Sequence, residues 1–252
     1  MKIGIFAASE TGYEIVKLFV ERNINVECLV LDDNDEKKWI DQMINTKVSR
    51  NIFFNTDLQK KDILSKILEM NIDIIILAWW PYIIKKEMLN LAIIGFLNTH
   101  PSYIPYNRGK HYYFWNLVEN VKYGATLHFI NEDIDSGQIA FQKIIDVTWE
   151  DTGYTLREKG KLAIVDLLKN SLNKILSGDI PRQTPDLSVG TYHSGKELNL
   201  ASKIDLDRLY NAKDILNIIR GRSGFPVGGA WFIHNNEKYE IQISIKKINN
   251  EK

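Results

Sequence analysis

The sequence predicts an α/β protein: an open, mostly parallel twisted sheet, followed by a small α+β C-terminal module containing a β-hairpin. Three observations predict it. Through the first two-thirds of the chain, short apolar runs of strand length alternate with stretches whose apolar residues recur at helical spacing. Two of the runs, residues 73–79 and 93–98, are nearly continuous in apolar residues, which marks strands covered on both faces. After residue 178 the rhythm gives way to prolines, glycines and a hairpin pattern.

Each element has its own signal. Residues 2–8 read as a buried strand. Residues 11–22 carry Ile15, Val16, Leu18, Phe19 and Val20 among Glu and Lys, the pattern of an amphipathic helix. Residues 25–31 and 51–55 read as strands, and the charge run at 32–38 between them as solvated surface. Residues 58–70 have helical spacing through Ile63, Leu64, Ile67 and Leu68 and lead into the strand at 73–79. A short helical stretch at 85–91 precedes the strand at 93–98. Residues 111–120 look helical. Residues 124–131 and 139–147 form two strands joined by a turn around Asp135-Ser136-Gly137. Residues 152–176 are the longest helical pattern, capped by Asp151 or Thr152 and stopped at Ser177-Gly178. Pro181, Pro185, Gly190 and Gly195 mark a loop-rich linker over 178–200, dividing a domain at 1–178 from a smaller one at 179–252. The smaller domain has a helix capped by Asn211 and ending at Gly221. A hairpin follows, with strands at 230–233 and 239–248 and a turn at 234–237.

Composition narrows the function. The 252 residues are 44% hydrophobic and 25% charged, enough for one full domain and a small second one. Lys and Arg total 32, matched by 32 Asp and Glu. A dedicated nucleic-acid binder carries a basic excess, because its affinity comes largely from neutralising phosphates. The balance weighs against nucleic acid as partner and leaves room for a small phosphorylated ligand held by a few local cations. Cys28 is the single cysteine, so there is no intramolecular disulfide and no cysteine-based zinc site. The five histidines, His100, His111, His128, His193 and His234, show no paired HxxxH spacing, and no metal is expected. Met1 to Phe6 runs straight into a strand without the features of a signal peptide. No apolar stretch reaches the length of about 18 residues that a membrane span needs. A cytoplasmic protein without membrane contact is expected.

An open parallel sheet invites a dinucleotide, but the first strand-to-helix turn, Ala7-Ala8-Ser9-Glu10-Thr11-Gly12, is neither GxGxxG nor a Walker loop. Ligands of such sheets still sit beyond the carboxyl ends of the strands. That directs attention to Ala78-Trp79-Trp80-Pro81 and Leu97-Asn98-Thr99-His100. In an extended chain Asn98 and His100 point to one side, because side chains alternate with period two. Pro101 and Pro105 stiffen the polar segment that follows. Asp135 sits in the tight turn downstream. An amide donor, a switchable imidazole and a carboxylate converging on one point form a set suited to acyl transfer.

These residues also compose a longer pattern: Asn98, His100, Ser102, Pro105, Arg108 and Gly109, then Gly124, Thr126 and His128, then Asp135 and Gly137. It resembles the formyltransferases that use 10-formyltetrahydrofolate, strongly over 74–147. A weaker match lies in Ile219-Arg220, Phe225-Pro226 and Gly229-Ala230. Chain size, the segment Asn107 to Trp115, Trp79-Trp80-Pro81-Tyr82 and the small C-terminal module are similar to the sugar nucleotide N-formyltransferase branch. Methionyl-tRNA formyltransferases are longer, with a basic tRNA domain, which the neutral charge disfavours. Glycinamide ribonucleotide formyltransferases have a glycine-rich phosphate loop that residues 8–12 lack.

The resemblance implies N10-formyltetrahydrofolate as co-substrate and a nucleotide-linked amino-dideoxy sugar as acceptor, foremost dTDP-4-amino-4,6-dideoxyglucose. The 3-amino isomers and UDP- or GDP-linked sugars stand behind it. It implies catalysis by Asn98, His100 and Asp135 through direct attack of the acceptor amine. The folate is expected along main-chain groups of Trp79, Trp80, Tyr82 and Ile83 and of the loop from Asp133 to Gly137. Ser102, Tyr106, Arg108, Lys110 and Arg220 are expected at the acceptor, Arg108 with a fork suited to diphosphate, although Arg220, Phe225 and Pro226 are assigned to domain packing first and to ligand contact second. A homodimer and a product destined for a surface glycan such as O-antigen are implied in the same way.

Overall fold

The computed structural model describes residues 1–248; the last four residues of the expected 179–252 domain lie outside it. Strand β1 (Ile3–Ala7) is wholly buried and is followed by helix α1 (Ser9–Glu21) and strand β2 (Cys28–Leu31). The alternation continues through α2 (Lys37–Asn45), β3 (Ile52–Phe54), α3 (Lys61–Glu69) and β4 (Ile72–Ala78). A short 3₁₀ helix at Lys86–Leu91 then leads to β5 (Ala92–His100). Next come β6 (Arg108–Gly109), α4 (Tyr112–Glu119), β7 (Gly124–Phe129), β8 (Ile139–Ile144) and the long α5 (Gly153–Ser177). The chain closes with β9 (Tyr192–His193), α6 (Glu197–Ala201), α7 (Ala212–Gly221), β10 (Ala230–His234) and β11 (Glu237–Ile241).

Seven strands form one sheet in the order β3-β2-β1-β4-β5-β7-β8. It is parallel from β3 through β5, and β7 runs antiparallel to β5. This is the open, mostly parallel α/β sheet that the apolar runs predict. Its core is dense in aromatic rings: Phe6 meets Trp80 and Phe96 edge to face, with centroids 5.4 and 5.7 Å apart. Among the described residues no helix is long and apolar enough to cross a membrane.

The chain forms two compact units that interleave along the sequence. The first comprises residues 1–100, 126–142 and 164–185; the second comprises 101–125, 143–163 and 186 onward. In the first unit the charge run at 32–38 is largely solvent-exposed, as the sequence suggests, with Asp33, Glu36, Lys37 and Lys38 exposed, but its acids also serve as local acceptors. Asp32 is buried and accepts hydrogen bonds from the Tyr82 hydroxyl and the Asn34 amide. Asp33 takes both the amide and the hydroxyl of Thr56, and Asp35 takes the Ser9 amide. The reason is backbone accounting: main-chain donors exposed where strands end need acceptors, and short acidic side chains supply them. Helix α2 begins inside this run.

In the second unit, Asn211 caps α7 as its position implies, accepting from the Lys213 amide at 2.9 Å. The hairpin β10–β11 turns on Asn235 and Asn236, both left-handed, as a tight two-residue turn requires. The loop-rich stretch at 178–200 contains β9 and the start of α6. Before α5, Asp151 is buried and accepts from the Thr148 amide (2.7 Å), the Thr155 hydroxyl (3.0 Å) and Lys159 Nζ (2.8 Å). Burial pushes its carboxyl up, but Lys159, the Thr148 amide and the Thr155 hydroxyl together outweigh burial and hold it below the usual range. A carboxyl depressed by folding stabilises the fold above its unfolded pKa of about 3.9, and loses that contribution as pH falls through the lower folded value. Lys159→Met should therefore cost about 1–2 kcal/mol near neutrality, because Lys159 is partly solvated. Denaturant titrations should find that gap closing as pH drops below the unfolded value.

Candidate active site

Register builds the site. Strand β5 pairs with β7 so that Asn98 faces His128 and His100 faces Thr126. Period two then puts Asn98, His100 and His128 on one face of the sheet. Asp135 reaches the same face from the turn after β7. Asn98 Nδ2 lies 3.3 Å from Asp135 Oδ1 and 3.2 Å from His128 Nε2. His100 Nδ1 stands 3.5 Å from Asp135 Oδ2, and His128 Nε2 stands 3.5 Å from Asp135 Oδ1. Both imidazoles are buried, and the Asp135 side chain is 13% exposed. The structure thus brings Asn98, His100 and Asp135 together and adds His128.

The hydrogen bonds assign the His128 tautomer. Its Nδ1 lies 2.9 Å from the Phe129 carbonyl, which only accepts, so Nδ1 carries a proton. In the neutral ring Nε2 is then an acceptor, and Asn98 donates to it. Both Asn98 N–H groups are directed inward, one to His128 and one to Asp135. On the opposite face of β5, Thr99 Oγ1 donates to the Leu77 carbonyl at 2.8 Å and accepts the Trp79 amide at 3.1 Å. That bond holds Trp79 in the left-handed region at φ 57°, where a bulky residue is strained by about 1–3 kcal/mol.

The turn that carries Asp135 is equally constrained. Asp135 is itself left-handed, at φ 48°. Ser136 donates its hydroxyl to Asn131 Oδ1 at 2.9 Å, and the Phe129 amide donates to the Gln138 carbonyl at 2.8 Å. A Cβ on Gly137 would stand 1.8 Å from the Phe129 carbonyl oxygen, so no side chain fits without moving the turn. Gly137→Ala should cost about 1–3 kcal/mol by overpacking. It should also lower activity about a hundredfold, since a shift of about 1 Å in a catalytic group has that effect. Comparing the thermal midpoint with turnover checks both parts.

The residues expected along the folate divide by role. The Trp80 ring belongs to the core, packed edge to face on Phe6 and on Tyr82. The Tyr82 hydroxyl is committed to Asp32 and Asn34. Ile83 is 74% exposed, and Asp133 is exposed. The segments carrying these residues are tied by an ion pair between Lys86 and Glu132 at 2.7 Å.

The residues expected at the acceptor all lie in the second unit. Ser102 is buried, Tyr106 and Arg108 are half-buried, and Lys110 is exposed. Among the described residues, Arg108 Nε is buried with no hydrogen-bond partner. Arg220 takes the packing role put first for it. Its guanidinium is spent on Asn217 Oδ1 and the carbonyls of Thr148 and Asp151, and it lies 4.7 Å from the Trp149 ring centre. Burial lowers its pKa. It braces the start of α5. Among the described residues no group of three or more His, Cys, Asp or Glu side chains is arranged to hold a metal ion.

Comparison with known proteins follows this geometry. Residues 13–170 match the family model described as formyl transferase, and residues 197–247 match the N-formyltransferase dimerization C-terminal domain. A methionyl-tRNA formyltransferase from Carboxydothermus hydrogenoformans is 29% identical over 184 residues, covering 72% of this chain and 58% of that protein. The chain therefore spans little more than half the length of that curated relative. The crystal structure of a 4-N formyltransferase from Francisella tularensis superposes with a TM-score of 0.81 at 20% identity, covering 98% of each chain. An N-formyltransferase from Helicobacter canadensis, in complex with folinic acid and dTDP-3-aminofucose, superposes with a TM-score of 0.72. There the identity is 19%, covering 88% of this chain and 80% of that one.

Proposed function

The chain belongs to the formyl transferase family, and we propose that it transfers the formyl group of N10-formyltetrahydrofolate to the amine of a nucleotide-linked amino-dideoxy sugar. The observation that carries this reading is the gathering of Asn98, His100 and Asp135 at the carboxyl end of β5. An amide, an imidazole and a carboxylate are what amine acylation needs, and no covalent nucleophile is required because the amine is the nucleophile.

The donor set fits this co-substrate. When bound, N10-formyltetrahydrofolate supplies an activated formyl carbon and a nitrogen leaving group. Main-chain groups of Trp79 to Ile83 and of Asp133 to Gly137 hold its flat ring, with exposed Ile83 as apolar cover. Asn98 Nδ2 and a protonated His100 donate hydrogen bonds where negative charge gathers on the formyl oxygen, the carboxylate of Asp135 favouring the charged imidazolium. Asp135 orients both groups and accepts the proton that the acceptor amine sheds, directly or through a water. His128 holds the Asn98 amide from behind.

We take dTDP-4-amino-4,6-dideoxyglucose as the foremost acceptor. The even charge balance favours a small sugar nucleotide over tRNA, and the 98% mutual coverage with the Francisella 4-N formyltransferase matches its size. Arg108 and Lys110 would hold the diphosphate, with Ser102 and Tyr106 at the sugar. Residues 1–178 act as the catalytic domain, and 179–252 form a C-terminal domain that pairs two copies into a cytoplasmic homodimer. The product suits a surface glycan such as O-antigen. The test is incubation with 10-formyltetrahydrofolate and a panel of dTDP-, UDP- and GDP-linked 3- and 4-amino sugars, read by mass spectrometry. Gain of one formyl group on a 4-amino dTDP sugar is expected. Gain only on initiator methionyl-tRNA would overturn the reading.

A further inference from the structure

The second unit contains a polar cluster that the reaction does not use directly. Glu119 is the last residue of α4, where the helix dipole disfavours an acid. Three donors offset this. Glu119 Oε1 is 2.6 Å from His193 Nε2, and Oε2 accepts from Asn107 Nδ2 at 2.7 Å and from the Thr191 hydroxyl at 2.8 Å. His193 Nδ1 is 3.0 Å from Glu197 Oε2, and its ring stacks on Trp115 with centroids 3.6 Å apart and planes 7° from parallel. The His193 bond and the Ser194 amide hold the Glu197 carboxyl down to about 2.

The cluster stands behind the segment that carries Arg108 and Lys110. Strands β6 and β9 are two residues each, joined by the bonds Arg108 N–H to Thr191 O (3.0 Å) and Lys110 N–H to His193 O (2.9 Å). So short a ladder is marginal by itself. Asn107 and Gly109 are both left-handed, at φ 51° and 86°, so the segment holds a shape that most sequences avoid. A Cβ on Gly109 would come 2.3 Å from the His193 carbonyl, which shows how closely the two strands approach.

We infer that Glu119 and His193 are positioning residues for the acceptor, pinning Asn107–Lys110 to Thr191–His193 so that Arg108 and Lys110 are presented in one fixed geometry. This rests on the reading that Arg108 and Lys110 hold the acceptor's diphosphate. Glu119 anchors both sides at once, through Asn107 and through Thr191 and His193. The His193 bond to Glu119 therefore matters more than its bond to Glu197, which is the more solvated carboxylate.

That asymmetry is testable in the full chain with two variants. Glutamine reproduces the Nε2 donor of histidine, and asparagine the Nδ1 donor. His193→Asn should raise the acceptor KM about tenfold with kcat within about twofold, whereas His193→Gln should stay near wild type. Hydrogen exchange at the Arg108 and Lys110 amides should quicken about tenfold in His193→Asn alone. If His193→Asn fails to fold, Glu119→Gln carries the same test, since it leaves fewer acceptor lone pairs for the same donors. Unchanged exchange in the variant overturns the clamp. Faster exchange with unchanged KM overturns its link to the acceptor. If wild-type protein formylates no amino sugar, the proposed function fails instead, and exchange decides the clamp by itself.

Discussion

Asp135→Asn leaves the protein folded and lowers kcat about a thousandfold or more. Asparagine has nearly the shape of aspartate, and Asp135 lies at a left-handed turn position that asparagine also tolerates. The thermal midpoint should therefore hardly move. The chemistry changes in two ways. The side chain no longer accepts the proton that the amine sheds. It also presents an N–H in place of one oxygen, although Oδ1 now faces Asn98 and His128 and Oδ2 faces His100 Nδ1. If its oxygen stays toward Asn98, its N–H points at His100 Nδ1 and no longer favours the charged imidazolium. Loss of a carboxylate that orients a catalytic imidazole is worth about 10^4-fold where geometry is otherwise kept. Turnover by mass spectrometry beside circular dichroism decides the matter. A folded variant with turnover within tenfold of wild type would remove Asp135 from the proposed chemistry.

The reach of the sequence follows from which physical signals are local. The sheet was legible because strands buried on both faces must be apolar along their length, as in Ile72–Ala78. Asn98 and His100 were legible as a pair because period two is a property of one strand. His128 was visible as a strand residue, but its partner was not. That it faces Asn98 is a matter of register between β5 and β7, which sequence spacing does not encode. The charge run at 32–38 is largely solvated, as its composition suggests, but for a related reason the sequence hides the partners of its acids. Its acceptors serve amides and hydroxyls at Ser9, Thr56 and Tyr82, which are distant in sequence. Helix α2 was hidden behind that run, although Trp39, Ile40, Met43 and Ile44 have helical spacing. Arg220 was legible as a packing residue, but its partners were not. A motif can mark a residue by its pattern without saying whether its donors face a ligand or the backbone, and here they face Thr148 and Asp151.

Asn98→Ala lowers kcat about 10^2- to 10^3-fold, the loss of about 2.7–4 kcal/mol that follows removal of one charge-stabilising donor. The argument must meet an obstacle, because both Asn98 N–H groups already have partners. Donation to a formyl oxygen means giving one of them up. The His128 bond is the costly one to lose: that ring is 1% exposed, and a buried acceptor left unsatisfied costs about 1–3 kcal/mol. The Asp135 bond is longer, at 3.3 Å, and its carboxylate is the more exposed group. When Asp135 takes up the amine proton its charge falls, and its hold on the Asn98 hydrogen weakens. The amide is then released toward the formyl oxygen as charge gathers there. On the proposed mechanism, deprotonation of the amine and stabilisation of the oxygen are coupled through one hydrogen bond. Asn98→Ala and Asp135→Asn should therefore be non-additive: the double variant should lose little more than Asp135→Asn alone. Losses that multiply would show that the two side chains act independently and would sink the coupling.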